Sequence, residues 1–199
     1  MLNKKQIKDF KEKGYIIINF IDKKNLTLVK KNLADMIMES ARHNLPKYYK
    51  KNIKKMKNTN FILNDVMSKL ESVRHEHLST IYDIIAKSSS FLNLLCEKKI
   101  LLVINKLMRK KPNHNLYLNC NAIRMDVFRG EKFMYGWHRD NNTNIPHSNF
   151  IQLWMPLNTF LGKGLGGIKV LEGSHKKNLI TTETKNEMKK ILTEIQNGS

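Results

Sequence analysis

Arginine is scarce in this chain: of 36 basic residues only six are arginine, and thirty are lysine. Proteins that read nucleic-acid sequence lean on arginine for bidentate contacts to base edges, so the formal charge of +19 argues weakly for a nucleic-acid partner. The lysines run from end to end among many Asn and Ile, as the codons of an A- and T-rich genome favour. Only two cysteines occur, Cys96 and Cys120, which fit neither a disulfide framework nor a zinc spacing. Each stands among apolar residues and reads as a reduced core thiol. No apolar run approaches the roughly 18 residues that a membrane span needs. No basic–apolar–small signal pattern opens the chain, so a cytoplasmic location is the expectation. A Gly-rich phosphate loop and a Gly-x-Ser-x-Gly elbow are both missing, which leaves nucleotide hydrolysis and serine-hydrolase chemistry without support. His75-Glu76-His77 lacks the His-Glu-x-x-His spacing of zinc proteases and reads as exposed helix.

The 199 residues suffice for one domain with a real core and fall short of two comfortable ones. Apolar residues at 41% and charged residues at 27% place it with ordinary soluble globular proteins. Ile7 and Phe10, with Gly14 as the stop, predict a helix over 4–13. Tyr15-Ile16-Ile17-Ile18-Asn19-Phe20 reads as a short buried strand. Asp22 then caps a second helix in which Leu26, Val29, Leu33, Met36, Ile37 and Ala41 recur at helical spacing. Residues 44–60 are polar, Lys-rich and contain Pro46, which predicts a long loop. Its dense cluster, 47–57, holds Tyr48 and Tyr49; a weak contact with a polyanion or an anionic substrate is one reading, and a solvated loop accounts for it better.

A helix over about 77–87 follows, with Leu78, Ile81, Tyr82 and Ile85 on one face. Ser88-Ser89-Ser90 caps a further short helix, and 100–108 is apolar enough for a buried helix or a strand. From Leu116 the texture turns to β. Stretches 116–128, 150–157 and 168–171 read as strands, with a glycine-rich hairpin at 162–167 and a helical tail over 181–196. Helices first and strands after suggest an α+β fold.

The pattern richest in chemistry is Tyr135-Gly136-Trp137-His138-Arg139-Asp140. In an extended segment His138 and Asp140 point the same way, with Cα atoms about 6.5–7 Å apart. Such a pair supplies two ligands of a facial His/His/carboxylate site, the type that holds non-haem Fe(II) and leaves one face open. A bare His-x-Asp is weak evidence, since chance alone gives one in roughly a quarter of chains of this composition. The surroundings add to it. An apolar run ending in Trp154-Met155-Pro156-Leu157 follows, and then Gly166-Gly167-Ile168-Lys169-Val170-Leu171-Glu172-Gly173-Ser174-His175-Lys176. This order and spacing resembles the phytanoyl-CoA dioxygenase family. The opening Phe10-x-x-x-Gly14-Tyr15, followed by an amphipathic helix, is a second patch of the same likeness, which extends from about Lys8 to Lys176.

The resemblance implies a double-stranded β-helix (jelly roll) braced by N-terminal helices, incomplete at the C-terminus. On this reading one domain spans 1–199: a mainly helical part over 1–113, core strands over 114–176 and a helix over 177–199. It implies an Fe(II)- and 2-oxoglutarate-dependent dioxygenase that uses O2 to hydroxylate an unidentified small molecule. His138 and Asp140 are the implied catalytic metal ligands. Relatives carry a later His, and an Arg that clamps the far carboxylate of 2-oxoglutarate. Nothing after Lys176 is a His or an Arg, so weak Fe(II) binding and poor turnover are expected. His175 fits a structural turn better than a third ligand, and His147 is the other late candidate. Trp154 aligns with an aromatic bordering the 2-oxoglutarate pocket, with core packing as its alternative. Arg124 either faces the same cavity or pairs with Asp126 inside the barrel. Two other readings stand beside the enzyme: a fragment or degenerate homologue without activity, and a basic polyanion-binding module.

Overall fold

The computed structural model of the chain describes residues 2–19, 22–111, 114–118, 122–125, 150–157 and 167–176. Contacts group the chain into two units. The larger holds the described residues of Asn19–Glu131 and Leu153–Gly167 and is organised around one long helix, α2 (Lys23–Asn44). Asp22 starts this helix, its carboxylate accepting the Lys24 amide at 2.8 Å. Such a cap satisfies one of the orphan donors of the first turn. Val29, Leu33, Ala34, Ile37 and Ala41 are buried along one stripe of α2, the spacing of a single helical face.

That stripe is covered by the elements that follow. The next helix, α3 (Pro46–Lys51), begins with proline in its first turn, where the missing N–H costs nothing. A 3-10 turn, Lys55–Lys57, buries Met56. Then α4 (Thr59–Phe61), a π turn (Ile62–Val66) and α5 (Met67–Val73) run on without a break. Asn58 caps this composite helix by accepting the Asn60 and Phe61 amides. Within it the Met67 amide reaches back to the Ile62 carbonyl, the five-residue step that defines a π turn. Ile62, Leu63, Val66, Met67 and Leu70 are all buried.

His75 precedes α6 (Glu76–Ile85), which buries Leu78, Ile81 and Ile85. Ser88 caps α7 (Ser89–Leu95), its hydroxyl accepting the Phe91 amide at 3.3 Å. The last helix is α8 (Lys98–Leu107). Helix α2 touches α3, α5, α6, α7 and the π turn. Side-chain hydrogen bonds add direction to this packing: Asn32 Nδ2 donates to Ser90 Oγ at 2.8 Å, Asn25 Nδ2 to Glu97 Oε1 at 2.7 Å, and Ser40 Oγ to the His77 carbonyl at 3.2 Å.

The expected jelly roll is corrected by this architecture. The described residues are mainly helical, and no strand occurs among them. Alternating apolar residues, read as strands, are spent on the helical core instead. Ile123 and Met125 are buried in the cluster built on α2, and Met155 and Leu157 pack against it. Over 122–125 a two-residue period of burial is therefore present without a sheet ladder. Of the expected strand at 15–20, residues 15–19 form none, and Ile17 is 86% exposed. The loop expected over 44–60 is largely helical, because Leu45, Tyr48, Tyr49 and Phe61 pack on the core. The ambiguous run at 100–108 belongs to a helix. Cys96 is exposed at the end of α7, so it is not a core thiol. Cys120, residues 162–166 of the expected glycine hairpin and the tail over 177–199 lie outside the described residues.

The smaller unit contains α1 (Lys4–Lys13) with described residues of 168–176. Asn3 and Gln6 form a capping box, each side chain accepting the other's backbone amide at 2.8 and 2.9 Å. Gly14 ends the helix at φ 88, with its amide on the Phe10 carbonyl.

If α2 organises the larger unit, Ile37→Ala should cost about 2–5 kcal/mol, the range for emptying a fully buried site. Leu28→Ala, on the exposed side of the same helix, should cost under about 0.5 kcal/mol. Urea denaturation of both variants checks this, and similar losses at the two positions would contradict the assignment of the helix faces.

Candidate functional site

His138, Asp140 and His147 lie outside the described residues. Among the described residues no group of three or more His, Cys, Asp or Glu side chains is placed to hold a metal ion. Trp154 and Arg124 are described, and both belong to the larger unit. Trp154 is 41% exposed, which removes simple core packing as its role. Arg124 is exposed between the buried Ile123 and Met125, so the alternative of an arginine buried inside a barrel is corrected. Gln152, on the segment leading to Trp154, is also exposed.

The smaller unit gives the clearest local chemistry, around His175. Glu172 and Gly173 lead into a 3-10 turn, Ser174–Lys176. The Gly173 amide donates to the Lys13 carbonyl at 2.8 Å, and His175 Nε2 lies 3.0 Å from the Lys11 carbonyl. Because a carbonyl only accepts, Nε2 carries the proton in this contact. The last turn of a helix leaves carbonyls without helical partners, and this turn serves two of them. Gly14 is needed for the approach. At its positive φ a side chain is strained, and a Cβ there would collide with the His175 ring. The imidazole is thus occupied in closing the end of α1.

Glu172 completes the arrangement. The Tyr15 hydroxyl donates to Glu172 Oε1 at 2.8 Å, and Lys13 Nζ stands 3.9 Å from the same oxygen. The hydrogen bond to Glu172, and then its negative charge, raise the Tyr15 pKa above the ordinary phenol value.

Two further features of the larger unit escaped the sequence reading. His75 Nδ1 lies 2.7 and 2.9 Å from the two oxygens of Glu71, one helical turn earlier. A separate shallow groove is lined by Tyr48, Asn64, Asp65, Ser68, Lys69 and Ser72. Burial, followed by the nearby Asp65 charge, raises the Tyr48 pKa. The i, i+4 spacing of Asn64, Ser68 and Ser72 was the available signal. It is hard to distinguish from any solvated helix face.

Comparison with protein-family models, curated proteins and solved structures gave no match. The functional reading therefore rests on this chain's own residues.

The turn against α1 makes two predictions. Gly14→Ala should destabilise the protein by more than about 1 kcal/mol, as alanine does where φ is positive; an unchanged melting temperature would contradict the packing. The Tyr15–Glu172 bond needs a neutral phenol and an ionised carboxylate. With the folded phenol pKa raised, the bond's contribution is present below the unfolded tyrosine pKa and lost as pH rises through the folded value. Difference spectra between wild type and Tyr15→Phe should place Tyr15 ionisation above that of free tyrosine, and Glu172→Gln should lower it.

Proposed function

We propose that the chain is an Fe(II)- and 2-oxoglutarate-dependent oxygenase related to the phytanoyl-CoA dioxygenases, acting on a small organic molecule. The observation that carries this reading is the ordered series from Tyr135-Gly136-Trp137-His138-Arg139-Asp140 to Gly173-Ser174-His175-Lys176. A geometric fact supports it. The two patches bearing the family likeness, around Phe10-x-x-x-Gly14-Tyr15 and Gly173-Ser174-His175, are far apart in sequence. They are joined by the contacts of Lys11, Lys13 and Tyr15 with Glu172, Gly173 and His175.

The donor chemistry fits a ferrous ion, which accepts imidazole and carboxylate ligands together. His138 would bind through a neutral imidazole nitrogen, and Asp140 would contribute a negative charge that favours a divalent cation. When bound, iron and 2-oxoglutarate supply the oxidising chemistry, placing one oxygen atom of O2 in the substrate and the other in succinate as CO2 leaves. His175 is engaged with α1, so a third protein donor is not assigned.

Anaerobic equilibrium dialysis with Fe(II) tests the pair directly. Wild type should retain the ion, and His138→Ala and Asp140→Ala should each lose it. Succinate release with Fe(II), 2-oxoglutarate and O2 should fall to background in the same variants. Equal iron retention by all three proteins would remove the basis of the proposal.

A further inference from the structure

Between Glu39 and Asp65 the chain has seven lysines and arginines and no acidic residue. Six of them, Lys47, Lys50, Lys51, Lys54, Lys55 and Lys57, fall within eleven positions, and all six are exposed. They do not lie on a floppy loop. Lys47, Lys50 and Lys51 occupy α3 at i, i+3 and i+4, which puts them on one face. Tyr48 and Tyr49, between them, pack toward the core, and Met56 is buried beyond them. The core contacts therefore hold the ammonium groups outward. Among the described residues no ion pair engages any of the six. Lys55 instead lies over the Phe61 ring, 5.6 Å from its centre.

We propose that the face formed by α3 and the 3-10 turn after it docks on an anionic lipid bilayer. Clusters of four to eight lysines are drawn to acidic headgroups, each contributing about fivefold to binding. An all-lysine face, without the planar fork of arginine, suits a fluid array of charges better than fixed base edges. Ile53 chooses between a bilayer and a rigid polyanion. It is 53% exposed in the middle of the lysines, where an aliphatic side chain gains by entering the headgroup boundary and gains little against a phosphate backbone. No described helix is long and apolar enough to cross a membrane, so the contact is a surface one. This inference does not rest on the iron reading, and His138→Ala should bind vesicles as wild type does.

Co-sedimentation of the full chain with vesicles tests it. The protein should pellet with phosphatidylcholine vesicles containing a quarter phosphatidylserine, and not with phosphatidylcholine alone. Retention should fall as salt rises. Lys50→Ala/Lys51→Ala/Lys54→Ala should weaken binding about 100-fold, at about fivefold per lysine. Its circular dichroism should match wild type. Ile53→Ser, with charge unchanged, should weaken it several-fold. Lys87→Ala/Lys98→Ala/Lys99→Ala should bind as wild type. The proposal is overturned if that control triple loses as much as the α3 triple, which would make net charge the cause. It is equally overturned if phosphatidylcholine alone pellets the protein. An unaffected Ile53→Ser, with an RNA or DNA duplex stripping the protein from vesicles, would replace the bilayer by a nucleic acid.

Discussion

The larger unit depends on the burial of one helical stripe. Val29, Leu33, Ala34, Ile37 and Ala41 of α2 face inward together, and α3, α5, α6, α7 and the π turn close over them. Each fully buried aliphatic side chain of this kind is worth about 1.5–3 kcal/mol relative to exposure. Other features follow from that stripe. The π turn lets Ile62, Leu63, Val66, Met67 and Leu70 reach the core from one composite helix. Tyr48, Tyr49 and Met56 anchor to the same core, and so decide which way the α3 lysines point. Even the segments that carry Ile123, Met125, Met155 and Leu157 contribute apolar side chains to this cluster.

Much of the helical part was legible from local rules. Ile7, Phe10 and Gly14 marked α1, Asp22 and the stripe after it marked α2, and Ser88 marked α7. For α1 and α2 a cap or a stop coincided with apolar periodicity, so two independent signals agreed. Periodicity alone sufficed for α6, but a breaker residue read alone misled. Pro46 was taken as a loop marker, although a proline is equally at home in the first turn of a helix. The composite helix over 59–73 has no acidic or proline punctuation at its start, and its π turn shifts the period within it.

The strand expectations failed for a more general reason. Alternation along 122–125 reports that every second side chain is buried, and says nothing of what buries it. A sheet partner and a helical core satisfy the same pattern. Here helices provide the burial. The candidate site divides along similar lines. His138 and Asp140 were found from spacing and flanking motifs and lie outside the described residues. Arg124 faces outward, as the alternation with Ile123 and Met125 implies, and Trp154 is exposed within an unbroken apolar run that gives no such sign. The closure of α1 by His175 joins positions 164 residues apart, a contact that local sequence rules cannot specify.

The organising role of α2 is most directly tested by residue-resolved hydrogen–deuterium exchange on the native chain. The account expects the slowest amides in α2 around Val29 to Ala41, with those of α5 and α6 next, because opening them exposes the shared core. Amides over 116–118, 122–125 and 150–157 should exchange faster, having no ladder to protect them. Slowest exchange in those segments, with α2 readily labelled, would mean that a paired sheet and not a helical stripe holds the protein together.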